Sequence, residues 1–203
     1  QKRVMVDLKL PSPGTRLLLH SCCAPCSGAI IEALLANGIC PTVFFSNSNI
    51  VPVSEYELRR SELERYCRSL GVETVDDEYD HRAWFNAIRG LEREPERGAR
   101  CLECFRFRLC RAAFFACENG FDVLTTSLAS SRWKDLEQVN KAGFYACSHA
   151  GEQSGRPLLW WDMNWRKGGL QPRRSEIIRE QKFYNQTFCG CEFSHESSVK
   201  NSK

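Results

Sequence analysis

The sequence predicts an α/β fold: a parallel sheet covered by helices on both faces. Three observations point there. Five short apolar or β-branched runs recur along the 203 residues, amphipathic stretches separate them, and glycine closes several of those stretches. Right-handed crossovers between parallel strands then bring the strand C-terminal ends, and the loops that follow them, to one edge of the sheet.

The first expected strand is Arg16 to His20, because Leu17-Leu18-Leu19 is the continuous apolar run of a strand buried on both faces. Ser27 to Asn37 follows as a helix, with Gly38 as its stop. Pro41 to Ser46 is the second strand. Ser54 to Leu70 reads as a helix opened by a capping box, Ser54 with Glu57 three residues on, and ended by Gly71. Val72 to Val75 is the third strand, and Cys101 to Glu118 a helix ending at Asn119-Gly120. Val123 to Ser127 is the fourth strand. A helix near Trp133 to Ala142 stops before Gly143, and Pro157 to Asp162 is the fifth strand. No repeat or low-complexity segment interrupts this order. Residues 1 to 194 are expected to form a single α/β metal-binding catalytic domain, and the polar stretch 195 to 203 a disordered tail.

A hydrophobic content of 42% is enough to bury one core, and a charged fraction of 26% fits an ordinary globular protein. The net charge of +3 permits a local basic face and decides nothing about partners. No apolar run reaches membrane-spanning length, and Gln1-Lys2-Arg3-Val4-Met5-Val6 lacks the apolar core of a secretory signal. A cytoplasmic location with no membrane partner is therefore expected. In a reducing compartment, 12 cysteines read as metal ligands or redox groups rather than as disulfide staples.

Seven of them fall in three groups: Cys22, Cys23 and Cys26 in "HSCCAPC", Cys101 and Cys104 in "RCLEC", and Cys189 and Cys191 in "FCGCEFS". The first group follows a strand and precedes a helix, where backbone N–H groups and the helix dipole favour thiolates. Cys101 and Cys104, three apart, share one helix face. Gly190 lets the backbone turn tightly enough for both flanking sulfurs to point at one centre. Seven thiols exceed the four that one zinc or one four-iron cluster takes, which suggests a cluster plus a second metal or redox-active thiols. The spacing lacks a second C-x-x-C zinc knuckle, so an iron–sulfur cluster is favoured over zinc. Cys40, Cys67, Cys110, Cys117 and Cys147 are expected to act as small packing residues.

His20, Asp80 and Asp162 lie at or after strand ends and are candidate proton donors, each weighed against a structural role. "SNSN", Ser46 to Asn49, could bind a ligand at the same edge or simply form a turn. Trp160 and Trp161 are expected in the core, whereas Trp165 could also stack on a base. Between Arg82 and Ala112 stand eight arginines against four glutamates, and "RKGGLQPRR", from Arg166 to Arg174, has four cations and no acid. Such runs are usually solvated faces, but beside a metal edge they suit phosphates. Arg106, Arg108, Arg132, Lys134, Arg166, Lys167, Arg173 and Arg174 are the candidate nucleic-acid contacts.

With "LLLHSCCAPCSG", "EPERGARCLECFRFRL", "FDVLTTSL" and "FCGCEFS" in this order, the chain resembles the QueH family of cobalamin-independent epoxyqueuosine reductases from Arg16 to Ser194. The resemblance implies a Rossmann-like sheet similar to the nucleotide α-hydrolases, with the metal site at the C-terminal edge of the strands. It implies reduction of the epoxide of epoxyqueuosine at the wobble position of a tRNA anticodon loop, giving queuosine. It also implies a [4Fe-4S] cluster with a second iron ion nearby, refilled by an external one-electron donor, a reductant protein. The family's cysteine positions fall on Cys22, Cys23, Cys101, Cys104, Cys189 and Cys191. Cys26 stands where some members carry Asp, and Asp162-Met163-Asn164-Trp165-Arg166-Lys167 stands where many read "DFKK", so the acid is kept and the lysine pair displaced. The expected division gives the cluster Cys23, Cys101, Cys104 and Cys189, and the second metal Cys22, Cys26 and Cys191. Two rivals remain at this stage. An ATP-dependent tRNA thiolation enzyme would need a glycine-serine phosphate loop after the first strand, and a zinc or redox-sensing nucleic-acid-binding module would hold metal without catalysis.

Overall fold

A computed structural model describes residues 6–13 and 15–194. The expected tail, 195 to 203, lies outside the described residues. Five parallel strands form one sheet: β1 (Leu17–Ser21), β2 (Thr42–Phe45), β3 (Thr74–Asp76), β4 (Val123–Thr126) and β5 (Leu159–Trp160), in the order β3-β2-β1-β4-β5. β1 is the centre. All five of its residues are buried, and Leu18 and Leu19 have no exposure at all, each such leucine contributing about 1.5–3 kcal/mol by leaving water. From β1 the chain steps outward to β2 and β3, then returns to lay β4 on the other side. The sheet order therefore reverses between β1 and β4, the place where open α/β sheets open a crevice beyond the strand ends.

Helix α1 (Ala24–Ala36) starts three residues before the sequence-based boundary, with Cys23 as its N-cap and Pro25 in its first turn. Pro fits there because the first helical N–H groups have no partner to lose. Cys26 is thus a first-turn residue of α1 rather than part of the preceding loop. Helix α2 (Val53–Ser69) corrects a second expectation: its N-cap is Pro52, no side chain caps it, and Ser54 is already inside the helix, so the capping box does not form. The short helix α3 (His81–Ala87) was not anticipated, and Asp80 is its N-cap. Helix α4 (Ala99–Glu118) begins two residues early and keeps Cys101 and Cys104 in its opening turns.

The stretch after β4 differs most. Ser127–Ser130 forms a 3-10 turn, Trp133 sits in a loop, and helix α5 runs from Leu136 to Ser154, capped by Asp135 through the N–H groups of Glu137 and Gln138. Gly143 does not stop this helix. It is where the ring of Trp160 packs: a Cβ at Gly143 would lie 2.1 Å from Trp160 Cε2. The glycine serves the close approach of helix and strand, not a turn. Helix α6 (Leu170–Gln181) was also missed, and it occupies most of the cationic "RKGGLQPRR" stretch. Helices α1 and α2 cover one face of the sheet with α6 against α1, while α4 and α5 pack together on the other. Trp160, Trp161 and Trp165 are all buried, Trp161 and Trp165 edge to face. Cys67, Cys117 and Cys147 are buried as expected and Cys110 is half-buried, but Cys40 is exposed.

Candidate metal centre

The loop after β1 is tied to the turn after β4, across the reversal point of the sheet. The N–H of Cys22 donates to Ser127 Oγ at 3.1 Å, and Ser130 Oγ donates to the carbonyl of Cys26 at 3.1 Å. This fixes three thiols at the end of a rigid central strand. The sulfurs of Cys22, Cys23 and Cys26 all lie within 4.8 Å of one another, with Cys22 and Cys23 at 3.8 Å. Gln186, arriving from the C-terminal segment, donates from Nε2 to Cys23 Sγ at 2.8 Å.

The other four thiols reach the same place from α4 and from the segment after α6. Cys22, Cys26, Cys101, Cys104, Cys189 and Cys191 line one cavity of about 1510 Å³; Cys23 does not line it, though its sulfur is 3.8 Å from that of Cys22. Cys191 packs with Cys104 in a small cluster around Trp84 and Ile88. The Cys189–Cys191 segment is held by Arg59 of α2, which donates from Nη1 to the carbonyl of Cys189 at 2.9 Å and from Nη2 to that of Phe188 at 3.3 Å. Gly190 has φ +126°, and a Cβ there would meet Ile50 Cγ1 at 2.9 Å and Arg59 Nη1 at 3.2 Å. The expected tight turn is therefore also a close approach.

Charge on these sulfurs is costly without a cation. Hydrogen bonds from Cys23 and Cys26 hold Cys22 well below the usual thiol range, making it the preferred thiolate of the trio. Burial pushes Cys23 up, and the same sharing with Cys22 raises Cys26 to about 11. Burial raises Cys101 to about 11 and also raises Cys104 and Cys191. A thiolate at Cys22 is thus favoured, whereas charge on Cys101, Cys104 or Cys191 is costly unless a metal compensates. Lys134 answers part of that charge: burial works against its ammonium, but Cys189, Cys22 and Cys26 outweigh burial and keep it protonated.

The three expected proton donors are not brought to this cavity. His20 is fully buried, and both ring nitrogens are engaged: Nε2 donates to the carbonyl of Ser46 at 3.0 Å, and Nδ1 accepts from the hydroxyl of Thr126 at 2.7 Å. Burial, and then the charge of Arg108, depress its pKa to about 3, so the ring is a neutral strut between strands. Asp80 accepts the N–H of Ala83 as a helix cap. Asp162 is exposed beyond β5 and is not among the residues lining the cavity.

The basic candidates divide. Arg132, Lys134 and Arg174 line the cavity. Arg108 lines it too but is 1% exposed, and its guanidinium donates to Ser46 O and Asn47 Oδ1, so it braces the "SNSN" loop. Arg173 is held by Glu32, Glu176 and Glu180, and Arg166 donates to the carbonyls of Ser131 and Lys134. These guanidinium groups serve the fold because acids and carbonyls distant in sequence reach them. Arg106 pairs with Glu103 and lies over the Tyr145 ring, while Lys167 is exposed. Sequence reasoning missed Arg59, Arg97, Arg100 and Gln186 in the lining; Asn49, from the "SNSN" stretch, lines it as well, its Oδ1 buried with no hydrogen-bond partner among the described residues. Of the four missed residues, only Arg97 and Arg100 carried a signal, their position beside "CLEC".

This geometry can be set beside known proteins. The family model described as Epoxyqueuosine reductase QueH matches residues 17–197. The chain belongs to the QueH family. A QueH protein named Epoxyqueuosine reductase QueH from Acinetobacter baylyi is 47% identical over 189 residues, 93% of this chain and 84% of that one. One of the same name from Histophilus somni is 46% identical over 191 residues, 94% of this chain and 76% of that one. Among solved structures, a predicted subunit of tRNA methyltransferase from Methanocaldococcus jannaschii superimposes with a TM-score of 0.51 at 14% identity, covering 84% of this QueH chain and 92% of the other. That likeness shows the shared fold alone. Among the described residues, no helix is long and apolar enough to cross a membrane.

Proposed function

We propose that this chain reduces the epoxide of epoxyqueuosine, at the wobble position of a tRNA anticodon loop, to give queuosine. One observation carries the reading: in a member of a reductase family, six thiols from three distant segments line a single cavity at the sheet's reversal point, with the Cys23 sulfur within 4.8 Å of those of Cys22 and Cys26. Removing the epoxide oxygen takes two electrons and two protons, and the oxygen leaves as water. A site for this must hold redox-active metal, exclude bulk water and grip an unpaired nucleotide.

The donor set fits iron. Soft thiolates from irregularly spaced cysteines suit an iron–sulfur cluster, and three buried sulfurs within 4.8 Å of one another need little movement to share a metal. We assign the [4Fe-4S] cluster to Cys101, Cys104, Cys189 and Cys191, and the second iron ion to Cys22, Cys23 and Cys26. The packing of Cys191 against the apolar cluster that holds Cys104 and the proximity of the three loop sulfurs support this division. It exchanges Cys23 and Cys191 relative to the division expected from sequence. When bound, the cluster supplies electrons one at a time and the second iron a Lewis acid.

The chain's own residues do the rest. Arg97, Arg132, Lys134 and Arg174 give the cavity wall a positive charge that suits phosphates of a splayed anticodon loop. Asn49 offers a buried amide oxygen to a substrate hydroxyl. An external one-electron donor protein refills the site, and a cytoplasmic location fits both partners. Residues 1 to 194 act as one catalytic unit. The test is anaerobic reconstitution with iron and sulfide, incubation with epoxyqueuosine-containing tRNA and a chemical reductant, and digestion to nucleosides. Queuosine replacing epoxyqueuosine is expected; unchanged epoxyqueuosine with iron bound would overturn the reading.

A further inference from the structure

Trp133 stands apart from the other tryptophans. Trp84, Trp160, Trp161 and Trp165 are all 8% exposed or less, whereas Trp133 is 75% exposed. It lies in the loop between the 3-10 turn and α5, and it lines the thiol cavity. An indole in water forgoes the burial that the other four obtain, so its place at a polar cavity calls for an occupant.

The loop that carries it is built rather than loose. Arg166 Nη2 donates to the carbonyls of Ser131 and Lys134 at 2.7 Å each, the N–H of Lys134 donates to the carbonyl of Ser131 at 3.2 Å, and Asp135 caps the helix that follows. The chain is therefore pinned on both sides of the indole. Arg132 lies over the ring at 5.3 Å, and Lys134 lines the same cavity as Cys22, Cys26 and Cys189. Cation, exposed aromatic face and cation follow one another in three consecutive residues, all lining the cavity.

We infer that Trp133 is a stacking platform for an unpaired base next to the nucleotide that enters the cavity. The inference rests on the proposed action on an anticodon loop and adds a positioning residue to it. An aromatic face flanked by cations is the arrangement that holds single-stranded nucleic acid, because every base has a π-face while duplex RNA keeps its bases stacked inside. Arg132 would hold a phosphate beside the stacked base, and the indole would set how far the loop enters. Loss of one stacked base weakens binding about tenfold.

The test uses the iron-loaded protein and anticodon stem-loop RNAs with 2-aminopurine placed on either side of the wobble position, alongside a duplex of equal length. Stacking on the indole should quench 2-aminopurine at one of the two positions. Trp133→Ala should abolish that quenching and weaken loop binding about tenfold, Trp133→Phe should restore most of the affinity, and the salt slope should stay unchanged because no charge is removed. Quenching at neither position, equal quenching in Trp133→Ala, or equal affinity for the duplex would overturn the inference. Quenching without conversion of epoxyqueuosine would leave the platform standing and remove the reductase reading; conversion without quenching would do the reverse.

Discussion

Replacing Arg59 by methionine should detach the Cys189–Cys191 segment from the site. The Arg59 side chain is 3% exposed and pairs with Glu55, itself 10% exposed, at 2.6 Å. It also donates to the carbonyls of Cys189 and Phe188. Methionine keeps most of the volume but leaves the Glu55 carboxylate buried without its cation, a change that costs about 3–5 kcal/mol. For a chain of this length that lowers the melting temperature by roughly 10 °C. Adding Glu55→Leu removes the stranded charge and should recover most of the stability, while the carbonyls of the segment still lack their anchor. The single and double variants therefore separate folding from site assembly. Differential scanning fluorimetry should show the single variant unstable and the double variant near wild type, and iron and acid-labile sulfide should stay low in both. Full iron and sulfide in the double variant would refute the anchoring role of Arg59.

Three further outcomes follow from particular contacts. Cys22→Ala should lower iron by about one per chain and leave sulfide unchanged, whereas Cys104→Ala should lower both; matching losses in the two would contradict the proposed division. His20, held at about pKa 3 against 6.5 when unfolded, contributes stability that is complete above pH 6.5 and lost as pH falls toward 3. The stability difference between wild type and His20→Gln should therefore shrink across that window by up to about 1.4 kcal/mol per pH unit in denaturant titrations. Gly143→Ala should cost about 1–3 kcal/mol, read from the denaturation midpoint, because its Cβ would lie 2.1 Å from the Trp160 ring.

The sheet was legible because β1, β2 and β4 are buried on both faces, which forces continuous apolar runs such as Leu17-Leu18-Leu19. The thiol groups were legible for a similar local reason, since each sits within a few residues of a strand end or helix start. What the sequence hid depends on partners far along the chain. Gly143 reads as a stop until Trp160 is seen against it, and Ser54 reads as a cap although the helix begins one residue earlier. Arg166 and Arg173 read as free cations, yet Ser131, Lys134 and Glu32 claim them from 32 to 141 residues away. His20 looked like a proton donor by position and is a strut by its hydrogen bonds. Arg59, the residue that secures the last pair of thiols, sits 130 residues from Cys189 and carried no local mark.

Metal analysis of oxygen-free protein bears most directly on the convergence of these sulfurs around iron. The account predicts roughly five irons and four labile sulfides per chain, a four-iron cluster plus one further ion. Zinc without sulfide, or labile sulfide retained in full after Cys101 and Cys104 are both replaced by alanine, would contradict it.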